Sequence, residues 1–338
     1  VPEQYDVLIV GGGPVGLFGA YYAGVRGLKV AVIDSLSQLG GQVTAMYPEK
    51  QIYDIAGFPH VSGRELVANL VAQAGQYEPA YMLGEEAQDI ALGDGAPHVI
   101  TTSSGRQIHA GSVIVTGGIG TFTPRPLPAG EDFLGRGLEY FVPSIAPYAG
   151  QDVVIVGGGD SAIDWCLMLA PVAASVTLVH RREQFRAHAA SLEQVRSSDT
   201  RIIINAQVAS LHGEATLQRA VLDVKGEDPQ ELDCQQVVAA LGFTANLGPL
   251  REWGLELHDN RHLVVDSAMR TNLPGVFAAG DITDYEGKVR LIAVGFGEVA
   301  TAVNNAAVYL DPDAQLFPGH STDTPHEVAP VPAGAVAG

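Results

Sequence analysis

An α/β fold in two similar parts, the second inserted into the first, is predicted by three observations. A short apolar run rich in β-branched residues, Asp6 to Val10, stops at the turn Gly11-Gly12-Gly13-Pro14-Val15-Gly16. The arrangement returns 146 residues later, where Asp152 to Val156 meets Gly157-Gly158-Gly159-Asp160-Ser161-Ala162. Each turn precedes a helical stretch and then another apolar strand, the order of a βαβ unit in a parallel sheet. Well after the second unit, Val276-Phe-Ala-Ala-Gly280-Asp281 supplies a further apolar strand, read as the chain's return to the first part.

The first unit fits G-x-G-x-x-G. Gly11 allows a tight turn, Gly13 lets backbone approach a pyrophosphate, and Gly16 lets the following helix lie close to the strand. The helix from about Pro14 to Arg26, with Val15 in its first turn, opens with unpaired N–H groups and the positive end of its dipole, a combination that favours an anion. The second strand, Lys29 to Ile33, ends at Asp34, 18 residues after Gly16. An acid there accepts hydrogen bonds from a ribose and repels a 2′-phosphate, so this site is expected to hold FAD or NAD rather than NADP. Val7 to Val25 carries no charge, but three glycines and a proline break it and no basic region precedes it. A membrane span is therefore rejected.

The 338 residues suffice for two domains with their own cores, and 46% hydrophobic with 17% charged residues is a soluble globular composition. A net charge of −19 argues against a nucleic-acid partner. Cys166 and Cys234 form no C-x-x-C, so neither a disulfide framework, a zinc site nor a redox dithiol is indicated, and two buried thiols in a reducing cytosol are expected. His258 and His262 have ligand spacing, but Asp259-Asn260 reads as a hairpin turn, and no metal site is assigned.

After Asp34 the stretch to Pro59 reads as a long functional loop, and Arg64 to Tyr77 as a helix. Tyr81 to Val115 reads as a small antiparallel layer ending in a buried strand at Gly117-Gly118, and the proline-rich Thr123 to Pro128 as a stiff connection. The expected division is 1–116 for the first part of the first domain, 117–243 for the insert, 244–323 for the second part, and 324–338 for a disordered tail. Leu291 to Leu310 is the last predicted helix.

The second unit differs where its second strand ends. In place of an acid it carries His180-Arg181-Arg182, followed by Arg186. Guanidinium forks suit a 2′-phosphate, so Gly157, Gly159, Asp160, Ser161, Ala162, His180, Arg181, Arg182 and Arg186 are the candidate NADP(H) residues.

With these features in order, the chain resembles the flavin-dependent pyridine-nucleotide reductases, and within them the thioredoxin-reductase-like ferredoxin-NADP reductases (type 2). The stretches QLGGQVTAMYPEKQIYDIAGFP, GGGDSAIDW, HRREQFRAH, AAGDITDYEGKVRLIA, GFGEVATAVNNA and a late HST carry the resemblance, which spans residues 5 to about 322. It implies two Rossmann-like domains, one for FAD and one for NADPH. Thioredoxin reductase itself has a C-x-x-C before the second fingerprint; Leu138 to Pro143 has no cysteine, which disfavours that activity.

The fingerprint already assigns Gly11, Gly13, Pro14, Val15 and Gly16 to the dinucleotide of the first site, FAD by the resemblance, which implies further contacts at Asp34, Gly41, Gln42, Tyr47, Ala87, Phe122, Asp281, His320 and Thr322. Tyr47 would stack on one flavin face, and His320 of a partner subunit would cover the other. No acid-base residue is required. It further implies a cytoplasmic homodimer passing hydride from NADPH to flavin N5 and single electrons to ferredoxin or flavodoxin. The alternative is an NADPH-dependent reductase of small acceptors such as quinones or ferric chelates. A non-enzymatic flavin sensor is disfavoured, since it has no use for Arg181 and Arg182. Because ferredoxins and flavodoxins are generally acidic, docking on this acidic chain would rest on local basic positions such as Arg181, Arg182, Arg186 and Arg196.

Overall fold

The computed structural model describes residues 3–320; Thr322 and the segment 324–338 lie outside the described residues. A parallel sheet organises the first part, in the order Ala80–Leu83, Val30–Asp34, Glu3–Val10, Gln107–Val115 and Val276–Ala278. Its central strands are buried on both faces, as continuous runs such as Val7-Leu8-Ile9 require. Helix α1 (Pro14–Val25) covers one face beside α6 (Ile292–Leu310), and α1 also meets α3 (Gly63–Gly75). The small residues of α1 make this close packing possible: a Cβ on Gly19 would stand 2.6 Å from the Val299 side chain. Helix α3 is capped by Ser62, whose Oγ accepts the Glu65 N–H at 3.2 Å.

Gln107–Val115 is long enough to pair differently along its two halves. Along its first half it pairs antiparallel with His98–Thr102, which in turn pairs with Ala87–Ala91; along its second half it pairs parallel with Val276–Ala278. The expected antiparallel layer is thus continuous with the parallel sheet.

The second part repeats the plan. Leu138–Glu139, Gln236–Ala240, Asp152–Gly157, Ser175–His180 and Arg201–Ile204 form a five-stranded parallel sheet. Helices α4 (Asp160–Leu169) and α5 (Ala189–Arg196) pack on one face. The antiparallel strands Ala206–Gly213, Leu217–Val224 and Gln230–Asp233 cover the other. Cys166 and Cys234 are buried and unpaired, and their thiols are pushed up to about 12 by desolvation. Burial of both thiols, with the thiolate disfavoured, argues against a nucleophilic role for either. The two parts are joined by a two-stranded antiparallel ribbon, Thr121–Pro124 against Phe243–Asn246.

Two sequence expectations need correction. The stretch after Asp34 is not all loop: Gly41–Met46 forms helix α2, and Gln51–Ile52 pairs with Val61–Ser62. Helix α2 was hidden by its length of six residues and by its N-cap, Gly40 in the left-handed region (φ 105°). Part of the proline-rich connection is strand, since Pro124 sits at the end of an edge pairing where its missing N–H costs little.

Candidate functional site

The groove at the carboxyl ends of the first sheet opens where strand order reverses, between Glu3–Val10 and Gln107–Val115. At its floor Gly11 has φ +117°, and a Cβ there would meet the Thr116 carbonyl at 2.6 Å. A Cβ on Gly16 would meet the Gly11 carbonyl at 1.9 Å, so α1 begins pressed against the turn. Around Gly13 the opposite holds: nothing lies within 4 Å of where a Cβ would stand. That space is the cradle, and no side chain caps the α1 N–H groups that border it.

Asp34, 9% exposed, accepts Gly12 N–H at 2.6 Å and Leu36 N–H at 2.8 Å. Burial raises its pKa, and the two backbone bonds oppose that rise. One carboxylate oxygen is thereby fixed toward the glycine turn and the other toward the start of the next segment. The groove is also lined by Pro14, Val15, Gly41, Gln42, Tyr47, Ala87, Thr116, Gly118, Gly280 and Asp281. Its donors, its acid and its glycine cradle fit a dinucleotide. Burial raises the pKa of Tyr47, which Asp281 and Asp54 reinforce, so its hydroxyl stays protonated.

Of the other residues expected here, Gly16 lies behind the turn and Phe122 belongs to the ribbon. His320 is exposed on the C-terminal segment with its ring edge-to-face against Phe317 at 5.2 Å; it does not line the groove in the single chain. Sequence reasoning missed Glu85, Glu86, Leu247, Pro249 and Leu250, which also border the groove.

At the second turn, Gly159 is an extended N-cap and α4 again lacks a side-chain cap. Arg186 N–H donates to the Gly158 carbonyl at 2.8 Å, and His188 N–H donates to Asp160 Oδ1 at 2.8 Å. The basic loop is therefore laced to the glycine turn, and Asp160, an unwelcome charge beside a pyrophosphate, is engaged by His188. The His180 ring stands over Gly158, where a Cβ would meet it at 2.1 Å, and it packs on Phe185 at 4.7 Å. Arg181, Arg182 and Arg186 are exposed beside Ser161 and Asp160 at the same sheet end.

A smaller cleft lies between the two parts. Met46, Tyr47 and Lys50 form one wall; Tyr140, Phe141, Ser161, Asp164, Trp165 and Met168 form the other. Tyr47 borders both cavities. The groove and the cleft thus adjoin at one aromatic ring, with Ser161 from the first turn of α4 on the far wall of the cleft. Lys50 pairs with Asp164 across this cleft, and Arg64, paired with Glu49, donates to the Pro143 carbonyl at 3.1 Å.

The profile of the pyridine nucleotide-disulphide oxidoreductases matches residues 5–306. The chain belongs to this family. It is similar over nearly its whole length to proteins named ferredoxin-NADP reductase. One from Salinispora tropica is 62% identical over 95% of this chain and 99% of its own. One from Nocardioides sp. is 60% identical over 94% and 97%. Among solved structures, thioredoxin reductase from T. acidophilum superposes with a TM-score of 0.74 at 26% identity, covering 92% of this chain and 100% of that one. Thioredoxin reductase from Lactococcus lactis, in its FR conformation, gives 0.72 at 25% identity over 90% and 99%. Both cysteines of this chain are buried and free, so they form no dithiol. Among the described residues, no helix is long and apolar enough to cross a membrane.

Proposed function

We propose that the protein is an FAD-dependent ferredoxin-NADP reductase, oxidising NADPH and passing electrons to a ferredoxin or flavodoxin. The observation that carries this reading is Tyr47, which borders both the FAD-type groove and the cleft whose other wall includes Ser161 at the start of α4. Bound in the groove, FAD would accept two electrons as a hydride and release them one at a time.

The chain's own part is binding and placement. Asp34 receives the adenosine ribose, and the α1 N-terminus with Gly11, Gly13, Pro14 and Val15 receives the pyrophosphate. Gly41, Gln42, Ala87 and Asp281 hold the flavin end, with Ala87 acting through its backbone. Tyr47 would stack on the ring, and Phe122 of the ribbon is also assigned to FAD. In the second part Gly157, Gly159, Asp160, Ser161 and Ala162 take the NADPH pyrophosphate, and His180, Arg181, Arg182 and Arg186 take its adenosine end. The domains run as the sequence divides them, 1–116 with 244–323 for FAD and 117–243 for NADPH.

The working form is a cytoplasmic homodimer in which His320 and Thr322 reach the partner's flavin. Tyr53, Val289, Leu316 and Phe317 are more than half exposed, and a partner subunit would have apolar side chains to cover there. Two buried, unpaired cysteines support the reducing compartment.

Anaerobic stopped-flow mixing with NADPH and with NADH, then with a reducible ferredoxin, tests the reading. Rapid flavin bleaching by NADPH alone, followed by one-electron reduction of ferredoxin, is expected. Bleaching without transfer to ferredoxin would move the assignment to a small-acceptor reductase; no bleaching would end it.

A further inference from the structure

Helix α6 contains one charged residue in 19, Glu298, and it faces inward. Its carboxylate pairs with Lys288; the two side chains are 4% and 3% exposed. Such a pair is costly to bury and seldom raises stability over an apolar replacement. Its contacts converge instead on one residue at the groove. Gly280 N–H donates to Glu298 Oε2 at 2.7 Å, and Lys288 Nζ donates to the Gly280 carbonyl at 2.9 Å. Tyr285 OH donates to Glu298 Oε1 at 2.6 Å, and Lys288 Nζ lies 5.4 Å from the Tyr285 ring centroid. Thr283 adds its N–H and hydroxyl to the same Gly280 carbonyl, at 3.1 and 2.8 Å.

Gly280 has φ +84° and lies against Val15, 3.3 Å from where its Cβ would stand, so the clamped turn is also seated on the first turn of α1. The next residue is Asp281, which lines the groove; among the described residues no protein donor reaches its carboxylate. The charged groups that act on Asp281 are Lys288, Arg290, Glu298 and His262, and Tyr47 feels Asp281 in turn.

We propose that Lys288 and Glu298, steadied by Tyr285, are positioning residues of the flavin groove: they grip the N–H and C=O of Gly280 and so fix where Asp281 meets the dinucleotide. The proposal rests on the FAD reading of the groove. The chain places a buried ion pair behind the one strand end that must present a bare carboxylate at a set distance from the α1 N-terminus.

Its test is the affinity of apo-protein for FAD, read by quenching of flavin fluorescence. Lys288→Met with Glu298→Gln replaces the pair by neutral groups of similar size; FAD should bind about tenfold more weakly or worse, with the circular dichroism unchanged. In an Asp281→Asn background the same two changes should cost less than about twofold, because the residue they position is already lost. Binding within twofold of wild type, or an equal loss in both backgrounds, would overturn the proposal. Should the double variant not fold, Tyr285→Phe decides: about threefold weaker binding is expected in the wild-type background and none in Asp281→Asn, and unchanged affinity overturns it. Failure of the wild-type chain to bind FAD would instead remove the functional reading beneath it.

Discussion

Lys50 and Asp164 form an ion pair between the two parts of the molecule, 114 residues apart in sequence, on opposite walls of the cleft that Tyr47 borders. Lys50 and Arg64 are tied to one piece of backbone, since Gly63 N–H donates to the Lys50 carbonyl at 3.0 Å and Arg64 N–H to the Pro48 carbonyl at 2.7 Å. Two cations that flank one small ribbon, Gln51–Ile52 with Val61–Ser62, thus hold the second part at α4 and at Pro143. Partly exposed pairs contribute about 0.2–1 kcal/mol, a factor of up to about five in a two-state arrangement.

Lys50→Gln or Asp164→Asn should therefore slow flavin bleaching by NADPH by up to about fivefold while leaving bleaching by dithionite unchanged. The charge-reversed double variant should recover most of the rate. Equal slowing with both reductants would show that the pair acts on the flavin site itself.

On the proposed function, the arginines after Ser175–His180 set the preference between the two pyridine nucleotides. Removing Arg181 and Arg182 together should weaken NADPH binding by about tenfold to a hundredfold and leave NADH binding within about twofold. Equilibrium titration with each nucleotide checks this, and an equal loss for both would point to a role in folding of the loop.

Gly11 and Gly13 should separate folding from cofactor binding. Gly13 is extended (φ −71°, ψ −178°) and faces open space, so Gly13→Val should cost about 1 kcal/mol or less of apo-protein stability yet reduce FAD affinity at least about tenfold. Gly11→Ala puts a side chain at φ +117° and 2.6 Å from a carbonyl, so it should cost about 1–3 kcal/mol or more before any ligand is added. Thermal melts of the apo-proteins and FAD titrations distinguish the two.

His98 gives the fold an acid-side weakness. It is 1% exposed, its Nδ1 accepts Gly93 N–H at 3.1 Å, and burial lowers its pKa from the ordinary 6.5. As pH falls below the unfolded value, the unfolded chain takes the proton first. The contribution is therefore complete above about pH 6.5 and lost as pH falls toward the folded pKa, by at most about 1.4 kcal/mol per pH unit. In His98→Asn, whose Oδ1 can accept the same N–H, the slope of stability against pH below 6.5 should shrink by up to one proton.

Much of the fold and the outline of the groove were legible because they depend on local signals. A strand that stops at glycines, an acid 18 residues on, and a basic run in the corresponding place are all readable in order along the chain. What stayed hidden depends on contacts between distant segments. Lys50 reads as an ordinary loop lysine, and nothing in its neighbourhood points to Asp164. Glu298 did leave a signal, as the sole charge in an apolar 19-residue helix, and that pattern should have marked it as buried and paired. The strand Ala206–Gly213 also showed its alternation, with Ala206, Val208 and Leu211 buried between exposed neighbours, and was overlooked.

The ribbon that joins the two parts bears on how such a molecule is assembled. Pro124 faces Phe243 in its ladder, so the chain leaves the first part and comes back to it at the same place, in opposite directions. A two-residue hairpin turn between those positions would close the first part over a simple loop. The whole nucleotide module is thus a long excursion from one hairpin, an arrangement in which a gene segment can be added or exchanged without redrawing the sheet on either side.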